Sequence, residues 1–124
     1  MKVNELMVGD WVICNHYQDK PFTKQFGVAD FVKGEYEFCE PIPLTEDILV
    51  KNGFEVHPFG CEWRQEKGID FQNYIVVYFR RNGEPRKVEL CFVNKVNTEV
   101  RDIKYVHQLQ HLLRLCGIKK EIEL

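Results

Sequence analysis

FQNYIVVYFRRNGEPRKVELCFVN, residues 71–94, is the stretch whose reading decides the fold. Two runs rich in β-branched and aromatic residues flank Asn82-Gly83, the signature of a two-residue type I′ hairpin turn. Such a turn fixes the register, because a slip of one residue would send every side chain to the other face. Arg81 then opposes Glu84, Tyr78 opposes Lys87, Val77 opposes Val88, Val76 opposes Glu89, Ile75 opposes Leu90 and Tyr74 opposes Cys91. Ile75, Val77, Phe79, Val88 and Leu90 share a core face, and Tyr74, Val76, Tyr78, Lys87, Glu89 and Cys91 make an amphipathic one. Pro85 is predicted opposite Arg80 in a non-hydrogen-bonded pair, where its missing N–H does no harm.

A sheet with one apolar face needs a cover, and IKYVHQLQHLLRLCG, residues 103–117, supplies it as a helix over about 104–116. At 100° per residue, Tyr105, Val106, Leu109, Leu112, Leu113 and Cys116 fall in one arc of about 120°, the width of a core-facing stripe. His107, Gln110 and Arg114 are predicted on the far side, and Leu115 on the flank, as a satellite contact or an exposed apolar spot. Gly117 stands where a left-handed cap residue belongs, and Arg114 complements the dipole of the last turn.

A short central helix, about 45–52, is signalled at both ends. Thr45 is a good N-cap, Glu46 and Asp47 load the first turn with negative charge, and Gly53 closes the element after Asn52. Leu44 and Leu49 form a staple at the start, and Phe54 folds back on Leu49 as in a Schellman motif. Residues 54–66 read as two short strands around Pro58 and Gly60. Thr98–Lys104 reads as a last strand or a lead-in to the closing helix, and the tail IKKEIEL as a short edge strand.

At the N-terminal end, LMVGDWVI, residues 6–13, has an apolar residue, a Gly9-Asp10 turn and then Trp11, Val12 and Ile13. The pattern resembles the first strand of small SH3-like barrels, with Asp10 expected to bond the amides that follow it. Residues 15–20 read as a loop. Residues 22–32 read as a strand with Phe22, Phe26, Val28 and Phe31 or Val32 as core candidates and Gly27 at a bulge. EYEFCE, residues 35–40, reads as a half-exposed strand with Tyr36 and Phe38 on one side and Cys39 with the glutamates on the other. The expectation is a single α+β domain, residues 1–124, of mainly antiparallel sheet with an SH3-like N-terminal part.

A chain of 124 residues buries roughly two thirds of its unfolded surface on folding, enough for a core without staples. No apolar run reaches the roughly 20 residues of a bilayer helix, and the N-terminus lacks a signal-peptide pattern, so a cytoplasmic protein without membrane contact is expected. The five cysteines, Cys14, Cys39, Cys61, Cys91 and Cys116, are widely spaced and odd in number, which favours reduced and mostly buried thiols. Net charge is −2, which gives no global attraction to nucleic acid. Residues 35–47 hold five acids and no base, whereas residues 80–95 hold five bases against Glu84 and Glu89.

Three segments, LMVGDWV, PIPLTEDILVKNGFE and IKYVHQLQHLLRLCG, carry a resemblance. The chain resembles a family of short proteins of Bacteroides and related gut bacteria, often linked to phage or mobile elements. Thr45, Glu46, Ile48, Leu49, Lys51, Gly53 and Phe54 match its middle block. Tyr105, Val106, His107, Gln108, Leu109, Gln110 and Leu112 match its last. Asp47, His111 and Leu113 to Leu115 depart from the pattern without disturbing the helix. The resemblance implies a phage- or mobile-element setting and no particular activity.

Four constellations are candidates for chemistry. His107 and His111, four apart on a helix, have the spacing of two imidazoles on one metal, but no further ligand motif accompanies them. With Gln108 and Gln110 they form a polar helix face, the candidate interaction surface. His57 and Cys61 in HPFGC are the local thiol and imidazole pair that a cysteine hydrolase would need, and Cys14 with His16 is a weaker ligand pair. Arg80, Arg81, Arg86 and Lys87, interleaved with aromatics, are candidate nucleic-acid contacts. No cofactor, resident metal or catalytic residue is expected. The leading expectation is a non-enzymatic accessory protein, a monomer or weak homo-oligomer, that binds a macromolecule and more readily a protein than a nucleic acid.

Overall fold

The predicted hairpin lies at the centre of a five-stranded antiparallel sheet. The computed structural model describes residues 7, 9–14, 22–27, 39–64, 74–91 and 98–124. Strands β4 (Glu55–His57), β5 (Gly60–Arg64), β6 (Tyr74–Phe79), β7 (Pro85–Cys91) and β8 (Thr98–Val100) pair with their sequence neighbours in the order β4-β5-β6-β7-β8. A second sheet of three strands, order β2-β1-β3, is formed by β1 (Trp11–Cys14), β2 (Phe22–Gln25) and β3 (Cys39–Pro41). The helices are α1 (Glu46–Lys51) and α2 (Val106–Leu115). The class is therefore α+β with mainly antiparallel sheet. Val28, Phe31, Val32 and residues 35–38 lie outside the described residues, and Cys39, assigned to the exposed side, is buried beside Val12, Cys14 and Phe26.

The register from Tyr74↔Cys91 to Tyr78↔Lys87 is the expected one, but the turn is not. Arg80 N–H donates to Glu84 O at 2.8 Å and Gly83 N–H to Arg80 O at 3.0 Å. Gly83 has φ 86, and Asn82 is not among the residues with positive φ. The loop thus holds three residues, a turn followed by a left-handed glycine, rather than a type I′ pair. Asn82 Oδ1 accepts Glu84 N–H at 3.0 Å, a local bond that favours this conformation. The extra loop residue is offset by an irregularity: Phe79 pairs with Pro85 while Tyr78 pairs with Lys87, leaving Arg86 as the bulged residue. The two deviations cancel, which keeps Val77, Val88, Ile75 and Leu90 on the core face.

Both helices end as their sequences require. In α1, Thr45 Oγ1 accepts Ile48 N–H, Phe54 N–H donates to Leu49 O at 3.0 Å and Gly53 N–H to Val50 O at 3.1 Å, the paired bonds of a Schellman cap. In α2 the same pair recurs, Ile118 N–H to Leu113 O at 2.9 Å and Gly117 N–H to Arg114 O at 3.1 Å. The core gathers Leu44, Leu49 and Phe54 with Ile75, Val77, Val88 and Leu90 from the sheet and Val106, Leu109 and Leu113 from α2. Leu115 is 85% exposed, the second of its two predicted alternatives.

The far side of α2 is where expectation and structure part. His107 and Gln110 are buried, at 5% and 4% exposure, because α2 is covered on two sides. One side meets the sheet. The other meets the C-terminal tail, which is not the predicted strand but an irregular segment whose backbone is held by side chains. Gln110 Nε2 donates to Lys120 O at 3.0 Å and its Oε1 accepts Ile122 N–H at 2.6 Å. Asn52 Nδ2 donates to Glu123 O and its Oδ1 accepts Glu123 N–H, both at 2.7 Å. Trp11 Nε1 donates to Ile122 O at 3.0 Å. Two amide side chains and an indole thus stand in for a neighbouring strand and seat Ile118 and Ile122 in the core.

Removing Gln110 leaves the buried Ile122 N–H unsatisfied, and removing Asn52 strips part-buried bonds from Glu123, at about 1–3 kcal/mol for each variant. Asn52→Ala and Gln110→Ala should each lower unfolding stability by about that amount in urea titrations. Because both hold one segment, the double variant should lose less than the sum.

Candidate functional site

Strand alternation sorts the five-stranded sheet into two faces, and the face away from the helices carries the polar chemistry. Across it runs a cross-strand row, Glu55, Glu62, Val76, Glu89 and Glu99, set by the pairs Glu55↔Glu62, Glu62↔Val76, Val76↔Glu89 and Glu89↔Glu99. Beside it His57, Gly60, Tyr78 and Lys87 make a second row, and Arg64, Tyr74 and Cys91 a third. Gly60 has a steric reason: a Cβ there would stand 2.2 Å from Val77 O, so only glycine lets β5 lie this close to β6.

A cavity of about 230 Å³ opens on this face, lined by His57, Phe59, Glu62, Tyr74, Val76, Tyr78 and Glu89. Its walls are aromatic. Phe59, 56% exposed, stacks between His57, centroids 6.0 Å apart, and Tyr78, 5.6 Å apart. Glu62 is only 8% exposed, and its two oxygens are divided: Oε2 faces His57 Nε2 at 2.9 Å and Oε1 takes Arg64 at 3.0 Å. Glu89 accepts from Tyr78 Oη at 3.3 Å and from Cys91 Sγ at 3.5 Å. The chain's own cations already lie on the rings, Arg64 over Tyr74 and Lys87 over Tyr78, each 4.9 Å from the centroid. Lys87 is also paired with Glu99 at 2.7 Å, a bond that holds this carboxyl below its ordinary range.

The phenols and thiol of this face are held neutral. A hydrogen bond to Cys91, with the charge that Cys91 would carry, pushes Tyr74 up to about 12. Burial and then the neighbouring Glu89 raise Tyr78, and burial raises Cys91. Donor atoms suited to a metal also meet here. Among the described residues Glu55, His57 and Glu62 bring one carboxylate or imidazole atom each within 4.8 Å of one another.

The residues singled out from sequence fall elsewhere, or have other work. His57 and Cys61 are on opposite faces, since His57 pairs with Gly60 while Cys61 pairs with Val56. Cys61 is fully buried among core side chains, and burial pushes its thiol up to about 11. They therefore form no nucleophile and base pair. Cys14 sits 3.8 Å from Cys39, sulfur to sulfur, and burial is the first cause that pushes Cys39 up to about 12; His16 is outside the described residues.

The polar face of α2 is used internally. His111 Nε2 lies 3.0 and 2.8 Å from the two oxygens of Asp10, a fully buried carboxylate. Asp10 Oδ2 also accepts Met7 N–H at 2.7 Å, the amide before it rather than those after it, and Arg114 stands 3.6 Å from Oδ1. Gln108 Oε1 accepts the amides of Lys104 and Tyr105 at the helix start. His107 and Gln110 of the predicted interaction surface are buried, and Gln108 and His111 are half-buried. His107 and His111 pack edge to face at 5.5 Å, and His111 Nε2 is turned to Asp10.

Arg80, Arg81 and Arg86 are exposed around the hairpin tip, whereas Lys87 faces the glutamate row. Arg80 also borders a wider depression of about 750 Å³ beside Thr45, Asn82 and Tyr105. Of its polar groups, Thr45 is spent on the cap of α1 and Asn82 on the turn.

Comparison with family models, with characterised proteins and with solved structures gives no match. The sequence shows the hairpin part of this face as amphipathic but not its continuation onto β4 and β5, although the signal is there: Glu55-x-His57 followed by Glu62 alternates on one strand face and across a tight turn.

Two titrations check these environments. The Tyr74 phenolate should appear near pH 12 in an ultraviolet titration, well after an ordinary tyrosine near about 10, and Cys91→Ala should bring it earlier. Since the folded value is raised, the neutral phenol contributes stability below about 10, and that contribution is lost as pH rises toward 12. Near neutral pH, Cys39 and Cys61 should resist a thiol reagent in the folded protein, while all five cysteines react once it is denatured.

Proposed function

We propose that this chain is a small non-enzymatic interaction protein, of the phage- or mobile-element type its sequence resembles, acting in the cytoplasm on a protein partner. The binding surface is the open face of the five-stranded sheet. The cavity of Phe59, Tyr74, Tyr78, Glu62 and Glu89 carries this reading, because it combines the exposed Phe59 ring and two half-buried tyrosine rings with carboxylates. A ring face attracts a cation, and two carboxylates orient it. Arg64 and Lys87 already use these rings in this way, which supports a lysine or arginine side chain of the partner as the guest.

The glutamate row argues against a phosphate backbone on the same face, since like charges repel. The nucleic-acid alternative rests instead on Arg80, Arg81 and Arg86 at the exposed tip. A cysteine enzyme has no support in the separation of His57 from Cys61 described above.

Binding of the purified protein to lysine- and arginine-bearing peptides derived from a partner captured in the native host tests the reading. Phe59→Ala and Glu89→Gln should each weaken peptide binding by at least about tenfold, the scale of 1.4 kcal/mol. Arg80→Ala with Arg81→Ala should leave it unchanged. Peptide affinity indifferent to Phe59 and Glu89 would overturn the proposal. Salt-sensitive oligonucleotide binding lost with the two arginines would favour the alternative.

A further inference from the structure

We infer that Glu55, His57 and Glu62 form a divalent transition-metal site at the β4 edge of the open sheet face, with zinc as the ion their donor set fits. Glu55 and His57 are two apart on one strand and share a face, while Glu62 stands directly across from Glu55 on β5. The backbone therefore converges one imidazole and two carboxylates without help from a loop. Their donor atoms lie within 4.8 Å of one another, and His57 Nε2 is 2.9 Å from Glu62 Oε2. Ligands at about 2.0–2.2 Å from a tetrahedral zinc lie roughly 3.4 Å apart, so modest side-chain rotation completes the geometry.

Three further features fit a metal rather than an ordinary ion pair. Two glutamates placed directly opposite in an antiparallel pair repel each other; Arg64 and His57 contact Glu62, and a dication shared by both carboxylates would meet Glu55 as well. The outer contacts orient the ligands as supporting groups around a metal do. Arg64 takes Glu62 Oε1 and leaves Oε2 directed at His57, and Phe59 stacks on the His57 ring with an interplanar angle of 15°. Glu55 is exposed and the cavity adjoins His57, so solvent reaches the position and water supplies the remaining coordination.

On binding, the His57 and Glu62 contact is replaced by two bonds to the ion, His57 coordinates through an unprotonated Nε2, and any proton there goes to solvent. Nitrogen and oxygen donors without thiolate suit zinc, and cobalt(II) serves as its spectroscopic stand-in. The site shares His57 and Glu62 with the lining of the partner-binding cavity, but it is read on the isolated protein with zinc alone, so its failure and that of the binding reading are distinguishable.

The experiment is calorimetric titration of the purified, metal-free protein with zinc chloride, beside cobalt(II) absorption spectra, for wild type, Glu55→Gln and His57→Ala. Glu55 is exposed, so Glu55→Gln tests the site with the fold kept, as circular dichroism will verify. Expected are a single zinc per chain, a cobalt spectrum without thiolate charge-transfer bands, and binding at least about tenfold weaker in either variant. Zinc heats absent from wild type, affinity unchanged in both variants, or a thiolate-to-cobalt band placing the ion on the cysteines would each overturn the site.

Discussion

The structure depends on the burial of α2 against one face of the β4–β8 sheet. Val106, Leu109 and Leu113 meet Ile75, Val77, Val88 and Leu90 there, with Leu49 and Phe54 of the α1 region closing the side. Each such side chain removed from water contributes about 1.5–3 kcal/mol. A helix of ten residues would not persist in isolation, so the sheet makes the helix as much as the helix covers the sheet.

That placement leaves α2 with a second side to satisfy. Gln110 turns inward to hold the tail, and His111 and Arg114 reach Asp10 in the turn before β1. A buried carboxylate is tolerable only when paired and hydrogen-bonded, and Asp10 obtains an imidazole, a guanidinium and the Met7 amide. The helix thereby connects the N-terminal sheet, the five-stranded sheet and the C-terminal segment. Its polar residues serve as mortar between these parts. The consequence for function is by exclusion: with both helices on one face, the opposite face keeps its glutamates, tyrosines and His57 facing the cavity, and this is where both the partner-binding proposal and the metal site are located.

Much of this was legible in the residues. The hairpin register at Tyr74 to Tyr78, the caps of α1 from Leu44 to Phe54, and the apolar stripe of α2 all follow from local rules, and local rules act over a few residues. The errors have equally specific causes. At Asn82-Gly83 the type I′ signature competed with a three-residue loop that Asn82 stabilises through its own side chain, and the bulge at Arg86 concealed the difference by restoring the register. His57 and Cys61 are near one another in sequence, but β4 and β5 meet with His57 opposite Gly60, which puts the imidazole next to Glu62.

The chain of residues on its own therefore settled the two helices, how they end, the strands of the central hairpin and which side of it is apolar. Those properties come from periodicity, capping and turn chemistry, whose partners lie within one or two turns of chain. Only the tertiary structure decided that His107 and Gln110 are interior, that the tail is held by Asn52, Gln110 and Trp11 rather than by a ladder, and that Glu55, His57, Glu62 and Glu89 share one open face. Those facts turn on contacts as distant as Asp10 with His111 and Asn52 with Glu123. An amphipathic helix shows which face is apolar, but not how many neighbours it will have.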